Sequence, residues 1–167
     1  KLTVAPLSLP DVGEADVLIA PDAAGLNFRD VLKALKQYPN RPGQPLWLGD
    51  ECAGVVVAVG DKVTDIKAGD RVMAVAPRAF STLLCAPRAA VVPIPDGITA
   101  ADAATIPIAF STAWYGLVDL AGLRRGDTVL IHAAAGGVGL AAVQIAQDIG
   151  ARIIATAGST EKRAHLE

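Results

Sequence analysis

Six residues, Ala134-Ala135-Gly136-Gly137-Val138-Gly139, constrain most strongly what this chain can fold into. An apolar run at 128–132 precedes them, and an apolar-periodic stretch at 138–149 follows. The string fits G-x-G-x-x-G with Ala in the first place. That pattern calls for a tight strand-to-helix turn whose backbone N–H groups approach a pyrophosphate at a helix N-terminus. Gly136 then gives close approach, Gly139 lets the helix press on the strand, and Ala135, Gly137 and Val138 complete the cradle. Within the helix Val138, Ala142, Ile145 and Ile149 form one stripe suited to a sheet. A second strand is expected at 152–157, which makes this part of the chain a βαβ unit.

The end of that second strand selects the ligand. A carboxylate about 20 residues past the last glycine accepts bonds from a ribose 2′-hydroxyl. Here the corresponding position is Ser159, followed by Thr160, Glu161, Lys162 and Arg163. A hydroxyl and two cations suit a 2′-phosphate, which a carboxylate repels. NADPH is therefore expected over NADH. The alternative for Lys162 and Arg163 is a solvated helix face.

Before the βαβ unit the chain reads mostly as β. Strands are expected at 16–20, 51–59, 70–76, 80–86 and 91–94, in a compact, partly open barrel or sandwich. One helix is expected at 27–37, with Asn27 as N-cap and Asp30 in a capping-box position. Pro39, Pro42, Gly43 and Pro45 make the following segment an irregular loop. Residues 99–120 are Ala-rich and helical, interrupted at Pro107.

Composition removes several function classes. Hydrophobic residues make up 52% of the 167 and the net charge is −2, which is opposite to the signature of disorder. With Lys+Arg 15 against Asp+Glu 17, no basic footprint for nucleic acid or an anionic membrane is present. The uncharged stretch 128–147 has membrane-spanning length, but its glycines, His132 and Gln144 make it strand, loop and helix. Cys52 and Cys85 form no CxxC and read as buried free thiols in a reducing, cytoplasmic setting. The chain starts at Lys1 without Met and stops at Glu167, so an excerpt of a longer polypeptide is expected.

Five ordered strings carry a family resemblance: GLNFRDVLKAL at 25–35, LGDECAGVV at 48–56, FSTAWYGLVDLAGL at 110–123, LIHAAAGGVGLAAVQIA at 130–146 and GSTEKR at 158–163. The chain resembles the medium-chain dehydrogenase/reductase superfamily, most of all the enoyl reductase domains of type I polyketide synthases and animal fatty acid synthase. The resemblance implies an α/β architecture. A GroES-like β-rich catalytic domain with its C-terminal helix, 1–118, precedes the first βαβ part of a Rossmann domain, 119–167, left incomplete. Zinc-dependent members carry Gly-His-Glu and a Cys at the first helix start. Here Gly49-Asp50-Glu51 and Asn27 stand instead, so a metal-free site is expected.

The activity so implied is NADPH-dependent reduction of the trans-2 double bond of an enoyl thioester on an acyl carrier protein. Tyr38 matches a tyrosine proposed in similar reductases to protonate the α-carbon; packing against its neighbouring prolines is the other reading. Asn27 falls near the nicotinamide by the same resemblance, or serves only as N-cap. Thr112 corresponds to a threonine near the carboxamide, or to buried helix packing. Arg29, Asp30, Lys33 and Lys36 read as helix-surface pairs. Neighbouring synthase domains are the expected partners, with homodimerisation left open. A free-standing quinone or alkenal reductase and a non-catalytic NADPH-binding scaffold are the rival functions. The strand at 128–132 is expected to be central in a complete sheet, so these residues alone would expose an apolar edge and either be inactive or need the missing half for solubility.

Overall fold

The structure, a computed structural model, describes residues 3–6, 8, 11–39 and 46–167. The expected loop at 40–45 lies outside the described residues. Two compact units make up the chain, Lys1–Pro107 and Ile108–Glu167. The sequence-based division at 118 falls within the second, because the helix around it packs with the second unit's core.

The first unit is built on β1 (Asp16–Ala24), β2 (Glu51–Val59), β3 (Arg71–Val75), β4 (Leu84–Pro87) and β5 (Val91–Pro93). They form one curled antiparallel sheet in the order β4-β1-β2-β3-β5. Alternation sets which face is covered: Val17 and Ile19 in β1, Val72 and Ala74 in β3, Leu84 and Ala86 in β4 are buried, joined by Val56 and Val91. Pro21 lies within β1 without breaking the sheet. The pairing with β4 covers only Asp16–Ile19, so beyond it one edge of β1 needs no ladder donor.

Two expected elements are shorter than their sequence pattern. The strand at 80–86 begins only at Leu84, since Ser81 Oγ donates to the carbonyls of Arg78 and Leu83 and holds a turn there. The helix at 27–37 is α1 (Phe28–Ala34), stopped by Lys36 in left-handed backbone at φ 58°. After that stop, the N–H groups of Gln37 and Tyr38 both return to the Leu32 carbonyl.

After β5 come α2 (Ala100–Ala103), capped by the Thr99 hydroxyl, and α3 (Pro107–Trp114). Pro107 starts α3 instead of interrupting a helix, because the first turn needs no N–H from it. The helix widens into π turns over Tyr115–Leu120.

In the second unit β6 (Thr128–Ile131) and β7 (Arg152–Ala155) pair in parallel through α4 (Gly137–Ile149), and α5 (Thr160–Ala164) follows. The βαβ reading holds, as does the α/β class with a β-rich part before it. The buried stripe of α4 differs in detail. Ala141, Ala142, Ile145 and Ala146 are buried, whereas Val138 is exposed, because the helix begins one residue earlier and Val138 sits in its open first turn. Leu130 and Ile154 are paired across the strands and each is 53% exposed.

Candidate functional site

The glycine turn has a closed back and an open front. Behind it, an added Cβ on Gly139 would lie 2.5 Å from the Ala133 carbonyl oxygen and 2.7 Å from Ala134 Cα. Only glycine lets α4 approach the strand this closely. In front, a Cβ on Gly137 would meet nothing within 4 Å. Gly136 is the N-cap and contributes no side chain, and the Leu140 N–H is the first to bond back to its carbonyl. The N–H groups of Gly137, Val138 and Gly139 therefore have no acceptor in the helix. The turn itself is held by Ala133 at φ 52° and by Thr156, whose Oγ1 accepts from the Ala133 N–H and sits 3.1 Å from His132 Nδ1. His132 is thus engaged at the strand end.

Ser159 caps α5, its hydroxyl oxygen accepting from the Lys162 N–H at 3.2 Å, and its own O–H stays available to donate. The Arg163 guanidinium folds back onto the Ala157 carbonyl and Thr160 Oγ1. Ser159, Lys162 and Arg163 are all exposed at the carboxyl end of β7, in the same unit as the glycine turn at the carboxyl end of β6. A dinucleotide fits this donor set: bare amides for the diphosphate, a hydroxyl and cations for a further phosphate. Thr112 is exposed on α3, so burial does not account for it.

The first unit holds a second cluster, around α1. Asp30 and Lys33, read from sequence as surface pairs, are 2% and 7% exposed. Lys33 Nζ donates to both oxygens of Asp50 at 3.1 and 2.9 Å and lies 3.5 Å from Asp30. Asp30 in turn accepts from the Asn27 N–H at 3.0 Å and from the Gly49 N–H at 2.9 Å. Gly49 adopts φ 79°, and a Cβ there would lie 2.6 Å from the Phe80 nitrogen, so the close approach to the Ala79–Phe80 backbone depends on glycine. The capping box between Asn27 and Asp30 is present, and the Asn27 amide also donates to Glu51 Oε1 at 2.7 Å. Arg29 Nε binds Asp50 at 2.9 Å, and its guanidinium lies 5.5 Å from the centre of the Tyr38 ring. Asn27 and Tyr38 thus belong to one polar network. Sequence reasoning missed Asp50, Lys33 and Arg29; the departure at Gly49-Asp50-Glu51 was the available signal.

Among the described residues, no group of three or more His, Cys, Asp or Glu side chains is arranged to hold a metal ion. Both cysteines are free; Cys52 is buried and Cys85 only partly so, a correction to the expected pair of buried thiols. Burial, and then the neighbouring Glu51 charge, push the Cys52 thiol up to about 11. No helix among the described residues is long and apolar enough to cross a membrane.

Known proteins share this arrangement. Residues 13–96 match the alcohol dehydrogenase GroES-like domain. The highly-reducing polyketide synthase 1 of Aureobasidium melanogenum is 47% identical over 155 residues, covering 93% of this chain and 7% of that protein. Among solved structures, the CurK enoyl reductase superimposes with a TM-score of 0.90 at 41% identity, over 97% of this chain and 51% of that one. The Thermus thermophilus quinone oxidoreductase, also solved in complex with NADPH, gives a TM-score of 0.81 at 36% identity, over 97% and 51%. The chain therefore spans about half the length of these solved relatives and a small part of the synthase. With the GroES-like sheet, the glycine turn and relatives that are oxidoreductases, the chain belongs to the medium-chain dehydrogenase/reductase superfamily.

Proposed function

We propose that the protein reduces the trans-2 double bond of an enoyl thioester carried on an acyl carrier protein, with NADPH as cofactor. One observation carries this reading. The Gly136–Gly139 turn, open in front and closed behind, is followed at the end of β7 by a hydroxyl and two cations where a carboxylate would exclude a 2′-phosphate. The synthase relative and the CurK enoyl reductase supply the substrate class. NADPH, when bound, supplies the hydride for the β-carbon.

The chain's own residues do the rest. Backbone N–H groups of Gly137, Val138 and Gly139 bind the diphosphate, with Ala135 and Gly136 forming the turn beside them. Ser159, Lys162 and Arg163 hold the 2′-phosphate. Within the first unit Asn27, itself fixed by Glu51, orients the nicotinamide. Tyr38 gives its proton to the α-carbon as negative charge develops there. The expected setting is a cytoplasmic multidomain synthase, with its neighbouring domains as partners and a homodimer as the assembly to look for.

Turnover of a pantetheine-linked crotonyl thioester, compared with a simple quinone, tests this. Faster reduction of the thioester is expected. The likeness to the Thermus thermophilus quinone oxidoreductase favours the second reading, a quinone reductase, which predicts the reverse order. A non-catalytic scaffold would bind NADPH yet show no oxidation of it in a single turnover.

A further inference from the structure

The buried side of α1 is charged and its outer side is apolar, which inverts the usual amphipathic helix. Asp30 and Lys33 face inward, while Phe28, Val31 and Leu35 are exposed. Such an arrangement is a poor way to gain stability, since charges buried together seldom repay their desolvation against well-packed apolar residues. Its geometry leads to one place. Lys33 clamps Asp50 through both carboxylate oxygens, Asp50 Oδ2 also forms an ion pair with Arg29 Nε at 2.9 Å, and the Arg29 guanidinium lies 5.5 Å from the Tyr38 ring centre. The Arg29 side chain is 46% exposed, so the burial of Asp50 and Lys33 does not extend to it.

We propose that Arg29 is a positioning residue for Tyr38, held at the phenol ring by the buried Asp50–Lys33 pair. The proposal rests on the reading that Tyr38 protonates the substrate. In that step the phenol O–H bond breaks, a C–H bond forms at the α-carbon, and the phenolate left behind regains a proton from water. A guanidinium near the ring is attracted to its π face and more strongly to the phenolate. Pinned by Asp50, it keeps the ring in place without reorganising during the transfer.

The test is a double-mutant cycle on the complete enzyme, with NADPH and a crotonyl thioester. Arg29→Gln is expected to lower kcat about tenfold, a fraction of the roughly 10²–10⁴-fold that a general acid contributes, with KM changed less than twofold. Its solvent deuterium isotope effect should rise, and Arg29→Lys should recover part of the rate. In a Tyr38→Phe background Arg29→Gln should cost nothing further, because both changes act on one step. Lys33→Met should reproduce the pattern of Arg29→Gln. An unaltered rate for Arg29→Gln, or an equal loss with and without Tyr38, overturns the positioning role. Full activity of Tyr38→Phe instead overturns the assignment of Tyr38 as donor, a separate result.

Discussion

Lys33 and Asp50, 17 residues apart in sequence, meet as a buried bidentate ion pair with Nζ–O distances of 3.1 and 2.9 Å. The pair ties α1 to the residue just before β2, and so fixes the helix from which Asn27 and Tyr38 emerge. Removing one partner deprives the other of its main counter-charge, Asp50 keeping Arg29 and Lys33 keeping Asp30. Lys33→Ala or Asp50→Ala should each cost about 3 kcal/mol, the low end for a broken buried pair, while Lys33→Met with Asp50→Leu should cost less than either single change. Urea unfolding midpoints decide it; a single-variant loss below about 1 kcal/mol would mean that water reaches the pair.

Gly137 and Gly139 should separate folding from ligand binding. Gly139→Ala drives a Cβ into the Ala133–Ala134 backbone and should cost at least about 2 kcal/mol of stability. Gly137→Ala meets no neighbour, so stability should hold or rise slightly. Its methyl would instead stand where the diphosphate approaches, weakening NADPH roughly tenfold, about 1.4 kcal/mol. Thermal unfolding beside fluorescence titration with NADPH measures both.

Lys162→Ala should weaken NADPH by about 1.5–3 kcal/mol, the size of a charged hydrogen bond, and leave NADH nearly unaffected. Arg163→Ala should have the smaller effect, since its guanidinium is already engaged by Ala157 and Thr160. Calorimetric titration with both cofactors reads the difference, and equal losses for the two refute a 2′-phosphate site.

Cys52 sets a limit on the alkaline side. Its thiol is pushed up from the ordinary thiol range to about 11, by burial first and by Glu51 second. The unfolded chain therefore loses this proton before the folded one does, and stability falls as pH rises from about 9 towards 11. The loss reaches about 2–3 kcal/mol above that window, at roughly 1.4 kcal/mol per unit. Cys52→Ala should lack this slope. Iodoacetamide at pH 8 should leave Cys52 unmodified in the folded protein, as peptide mass spectrometry would show.

By itself the sequence determined the local units. Glycine spacing, the apolar run ahead of it and the 3.6-residue period define β6, the turn and α4, because each is a short-range demand of backbone geometry. The Asn27–Asp30 cap was readable for the same reason: its two residues lie one helical turn apart. Tertiary structure alone decided which face of α1 turns inward. The helix spacing puts Asp30 and Lys33 among surface pairs, yet both are buried, because a carboxylate and an amide 17 and 19 positions away meet them there. Such pairing over distance leaves no repeat in the chain, and only the β2 end arriving beside α1 supplies the partner that a buried lysine needs.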